Sequence, residues 1–150
     1  MKRSEGMCAG VLGAVAMTMV MGMARLLGVG GNLEMTIGTM FTESISAGSW
    51  LLGFAIHLAF GAVFGLIYAA ILSLPSSGPR AATGALVGGI HGVAATAAMA
   101  LVPMFHPLIT EVAPASMAFL SVGGALMFIC LHVLFGFIVG GVGAQCRRGL

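Results

Sequence analysis

Charge is what this chain lacks most. Asp, Glu, Lys and Arg together make up 7% of it, against roughly 25% in an ordinary soluble domain. That leaves too few polar side chains to coat a globule in water, which excludes the soluble class. Aspartate is absent altogether, and the four acids are Glu5, Glu34, Glu43 and Glu111. None stands in the middle of a long apolar run, which weighs against an ion-coupled pump or transporter, whose relays place acids inside the spans. The three cysteines form no C-x-x-C pair, so neither a zinc ribbon nor a disulfide framework is expected. Ser-His-Asp, Walker and G-x-S-x-G patterns are missing, and the reading is non-enzymatic. A net charge of +2 gives no footprint for nucleic acid.

Apolar sequence is what the chain has in abundance, at 59% of residues. Four segments, near 7–27, 49–74, 81–104 and 117–143, are long enough to cross a hydrocarbon core, which takes about 20 helical residues. Backbone amides cannot go unpaired in lipid, so these segments are expected to be helices. The alternation of a lipid-facing barrel strand is absent. The whole of 1–150 then forms a single four-helix transmembrane domain. Lys2, Arg3, Arg80, Arg147 and Arg148 fall on one side, and Glu34, Glu43 and Glu111 on the other. The positive-inside rule places both termini and the 75–80 turn in the cytoplasm, with the chain in the plasma (inner) membrane. Cys8 and Cys146 then lie at the cytoplasmic end and Cys130 at mid-membrane. Trp50 and Tyr68 stand toward opposite ends of helix 2, as interfacial anchors do. Met1–Ala24 also has the make-up of a signal peptide, with Gly22-Met23-Ala24 as a cleavage site; a retained helix is the expectation.

The pattern H-x-x-F-G-x-x-x-G occurs at His57–Gly65 and again at His132–Gly140. A shift of half the chain superposes the two copies and puts Gly13 on Gly88. The fold expected is therefore two tandem hairpins, about 1–75 and 76–150, related as parallel repeats. Glycines four residues apart mark close helix packing, within the bundle or between protomers. They include Gly61 and Gly65 on helix 2, Gly84, Gly88 and Gly92 on helix 3, and Gly136 and Gly140 on helix 4. Gly6, Gly10, Ala14, Thr18 and Gly22 form the matching ladder on helix 1. In the first outer loop, Asn32 is a cap for a short helix with Leu33, Ile37 and Phe41 on one side, lying along the interface. The second, around 105–116 with Pro107 and Pro114, reads as irregular, and Pro75–Pro79 as a plain turn.

His57, His91 and His132 fall near the bilayer midplane on three helices, and His106 at the outer end of helix 3. Ionisable rings inside spans are functional-site candidates by default. Two imidazoles at equal depth beside glycine suit a bis-His haem b, and a third would complete a copper or zinc site. The alternatives are interhelical hydrogen bonding alone and a proton or substrate relay. The 12 methionines read as apolar filler more readily than as a Cu(I) path. Arg25 is expected to snorkel outward and to pair with Glu34 or Glu43.

Across nearly its whole length the chain resembles a family of small bacterial four-helix integral membrane proteins known as a domain of unknown function. The resemblance rests on S-W-x-x-x-x-x-I-H-L-x-F-G at 49–61, G-x-I-Y at 65–68, G-A-L-V-G-G-I-H at 84–91, M-F-H-P at 104–107 and H-V-L-F-G at 132–136. It implies the fold and location, no activity, and the four histidines as the positions to test. The chain departs from the pattern at Gly92, where relatives carry Trp. The function expected is that of an accessory or scaffolding subunit, in contact with lipid and with itself or other membrane subunits. The alternative is a haem b- or copper-binding membrane protein, and a small channel or transporter is third.

Overall fold

A computed structural model describes residues 1–74, 80–108 and 121–148, and among these residues every regular element is helical. We number the helices α1 (Arg3–Leu26), α2 (Leu33–Thr42), α3 (Ala47–Ile71), α4 (Arg80–Met99) and α5 (Val122–Arg148), with a short 3-10 turn at Val102–Met104. Four of them, α1, α3, α4 and α5, are long and apolar enough to cross a membrane. Each begins or ends within a few residues of the expected boundaries. The Pro75–Pro79 turn, Glu111, Pro114 and the start of the fourth span at 117–120 lie outside the described residues, as does the side chain of Cys146.

Local chemistry sets the helix ends. The Glu5 carboxylate accepts from the Lys2 amide at 2.9 Å and caps α1, while Gly28 and Gly30 take φ of +75° and +93° to turn the chain out of it. Asn32 caps α2 through the Met35 amide at 3.1 Å, as expected of it. Ser46 caps α3 through the Ser49 amide at 3.1 Å.

Glycine determines how the helices meet. On α1 and α3, Gly6 abuts the carbonyl of Gly65, and Gly10 that of Gly61. On α4 and α5, Gly84 meets Gly136 carbonyl to carbon, and Gly88 and Gly92 meet the backbone at His132 and Ile129. Gly140 meets Arg80 in the same way. The seven glycines singled out on helices 2 to 4 are therefore used within the chain, as are Gly6 and Gly10 of the helix 1 ladder, whereas Gly22 of that ladder meets only Arg25 of its own helix. Phe135 of α5 fills the notch left by Gly13 of α1, where an added Cβ would stand 2.7 Å from the ring. The helices pack in the order α2–α3–α1–α5–α4, and α4 hardly touches α3.

Two expectations are corrected. α2 does not lie along the interface: it folds back antiparallel against the start of α3, with Gly38 on the Ser49 carbonyl and Gly53 on the Glu34 carbonyl. Its buried residues are Leu33, Glu34, Thr36, Gly38 and Thr39, so of the apolar side Leu33 is buried while Phe41 is 67% exposed. Small residues and hydroxyls bury more closely against a backbone than Leu or Phe, so polarity alone missed the face that packs on α3. Tyr68 is no interfacial anchor either; it is buried, with its ring edge-on to Phe135 at 5.3 Å.

Candidate functional site: an imidazole-lined cavity

Between the α1–α3 and α4–α5 pairs lies a cavity of ≈ 470 Å³, and His57, His91 and His132 all line it. The volume falls in the range of roughly 300–1,000 Å³ common for small-molecule and cofactor pockets. Phe60, Phe64, Phe128 and Phe135 are also part of the wall. Leu33 and Ile37 of α2 line it as well.

Each imidazole is tethered through Nδ1. His132 Nδ1 lies 2.8 Å from the carbonyl of Phe128, one turn back on α5. A carbonyl only accepts, so that nitrogen carries the proton and Nε2 keeps its lone pair. His57 Nδ1 lies 3.2 Å from the Thr18 hydroxyl of α1 and 3.8 Å from Glu34 Oε1. His91 Nδ1 lies 3.3 Å from the Tyr68 hydroxyl, and its ring packs between Phe64 at 4.0 Å and His132 at 4.6 Å. His132, fixed at Nδ1 by a carbonyl and offering Nε2, has the arrangement of metal- and haem-ligating histidine; the hydroxyls at His57 and His91 can either donate to Nδ1 or accept from it.

Glu34 is the residue that sequence reasoning missed. It is fully buried, with Oε2 3.5 Å from the Arg25 guanidinium and Oε1 without a hydrogen-bond partner. Arg25 also donates to the Gly31 carbonyl at 3.3 Å. Burial pushes the Glu34 carboxyl up, but the neighbouring His57 and Thr18 side chains more than offset that and hold it below its ordinary value. The Arg25–Glu34 pairing was among those expected. What the sequence did not reveal is that α2 carries the acid to within reach of His57. The available signal was Gly38 and Gly53, one small residue on each of two short-range neighbours, which together permit the fold-back.

His106 stands apart from the cavity. Its Nδ1 accepts from the Leu108 amide at 3.1 Å, so Nε2 carries the proton and donates to the Thr36 carbonyl at 2.9 Å. With Thr39 Oγ1 at 3.1 Å as well, both nitrogens are engaged, and the ring ties the segment after α4 to α2. Of the four histidines, three are thus brought together and one is not. Among the described residues, no three His, Cys, Asp or Glu side chains are gathered so as to hold a metal ion. Cys8 and Cys130 are free thiols on exposed positions.

Fold and cavity together define a helical protein with four helices able to span a membrane and an imidazole-lined cavity among them. No family model, curated protein or solved structure matches the chain.

Proposed function

We propose that this chain is a non-enzymatic, multi-span protein of the bacterial inner membrane that holds a flat cofactor, haem b foremost, between its hairpins through Nε2 of His57 and His132. One observation carries the reading: three imidazoles, each tethered at Nδ1, line one apolar cavity of cofactor size. One or two axial ligands suffice to hold a haem, whereas a copper or zinc site needs three or four converging ligands, and no such group is gathered among the described residues. The geometry therefore favours haem over copper. Both termini are assigned to the cytoplasm on the distribution of Lys and Arg. A tandem duplication is supported by the way Gly61 and Gly136, equivalent under the half-chain shift, each abut a glycine of the preceding span.

The test is the absorption spectrum and iron content of the detergent-purified protein, before and after addition of hemin. A Soret band with near-stoichiometric iron is expected, lost in His57→Ala and in His132→Ala but kept in His106→Ala. Folded wild-type protein that takes up no haem would end this reading.

A second reading, an accessory or scaffolding subunit of an oligomer or larger membrane complex, is favoured by α4. That helix packs its backbone on α5, meets α3 through the His91 ring, and leaves Leu86, Ile90 and Val93 largely exposed. It predicts co-purification with other membrane subunits in mild detergent; a monodisperse free monomer counts against it. The glycines give it no support, because they are engaged internally.

A further inference from the structure

The cavity is closed along the membrane normal and open sideways. At its outer end, Leu33 and Ile37 of α2 lie across it. Toward the other end stand Phe64 and the edge-to-face pair of Tyr68 and Phe135. His91 joins α4 to Phe64 and Tyr68 of α3; a turn further along, the two backbones stay apart, and the residues at that gap line the cavity while being exposed: Phe60 on α3, and Ala94 and Ala98 on α4. The two alanines stand one turn apart, so α4 offers only methyl groups at the rim. Outward of the rim the flanks are apolar, with Val63 and Ile67 on one side and Ile90 and Val93 on the other. Such a gap between two membrane-length helices faces hydrocarbon, not water.

We infer that the gap between α3 and α4 is a lateral portal, and that the ligand of the cavity is membrane-dissolved: a flat apolar ring with a centre that an imidazole nitrogen can bind. The inference rests on reading the cavity as a ligand site. It adds the route and the class, because a ligand arriving from water would meet α2 at one end and packed aromatic rings at the other. Once inside, apolar ring area replaces lipid contact, and the imidazoles supply the few directional contacts that fix orientation.

The test uses the full chain in lipid nanodiscs, with protohaem delivered from preloaded vesicles and uptake followed by the Soret band. Ala94→Phe with Ala98→Phe is expected to slow loading and release by roughly tenfold or more, an effect on rate, with an unchanged spectrum once loaded. Unchanged rates would overturn the portal. If the wild type takes up no haem, the cofactor reading fails, and the portal is decided by a measurement that needs no ligand. In a Trp50→Phe background, the indole introduced by Ala95→Trp, inside the cavity wall, should be quenched by lipids brominated on their acyl chains. Adding Ala94→Phe and Ala98→Phe should protect it. An indole that brominated lipid does not quench would overturn the inference.

Discussion

The α1–α3 and α4–α5 pairs use the same joint and different furniture. In both, glycine meets backbone across the interface, and a histidine stands close by on the second helix of the pair, His57 in one and His132 in the other. The tethers of those two rings differ. His132 donates to a carbonyl of its own helix, whereas His57 looks outward to Thr18 and Glu34. The difference follows from α2, which occupies only the first pair. Gly53, four residues before His57, is pressed against the Glu34 carbonyl, and the segment that does so brings a carboxylate and its arginine partner with it. One interface pattern thus supports two electrostatic settings, one with neutral polar groups and one holding an ion pair. Joint and furniture are separable, because backbone contact fixes helix spacing while side chains from a neighbouring element fix polarity.

The sharpest way to break this comparison is to overfill both joints. Gly10→Leu and Gly84→Leu each drive a side chain into an opposing carbonyl, and overpacking costs roughly 1–3 kcal/mol or more. Both should lower the midpoint of thermal unfolding in nanodiscs by similar amounts; a tolerated Gly84→Leu would show that the joints are not equivalent. Glu34→Ala should act on the first pair alone. Removing a buried partner costs about 1–3 kcal/mol, with Arg25 easing its share by reaching water, since 26% of its side chain is already exposed. Urea unfolding, with the His132 ring monitored by NMR, should register the loss in stability without a change in that ring's environment before unfolding. Asn32→Ala removes the cap of α2, worth roughly 0.5–2 kcal/mol, and hydrogen exchange should quicken across α2 while α4 and α5 keep their protection.

The smallest effect separates bonds within a pair from bonds between pairs. Thr18→Val removes a contact inside the first pair, and Tyr68→Phe removes one between α3 and α4. Interhelical hydrogen bonds in membranes average about 0.6 kcal/mol, so neither should unfold the protein. Tyr68→Phe should shift the His91 resonances, and Thr18→Val those of His57; a reversed pattern would contradict the pairings.

Much of this architecture is legible in the sequence, for a physical reason. Span length, apolar content and glycine spacing are local quantities, and lipid leaves a long apolar segment little choice but a helix. The convergence of His57, His91 and His132 was half visible, since depth along each helix follows from counting residues. Which face each ring takes does not. Glu34 was out of reach because hydropathy assigns a short capped helix with an acid to the surface, and only the fit of Gly38 to Ser49 and of Gly53 to Glu34 overrides that assignment. Tyr68 was misplaced by the same habit: position near a helix end suggests an anchor, while packing on Phe135 decides otherwise.

α2 also bears on assembly. Four helices can insert in the bilayer one by one, each satisfying its own backbone, and then associate. α2, too short to span and carrying an acid, has no place in lipid until α1 and α3 are side by side with Arg25 at hand to meet Glu34. It also supplies Leu33 and Ile37 to the cavity. A chain halted after insertion therefore has all its spans and an unroofed cavity, whose wall is completed last, when a segment outside the spans seats itself.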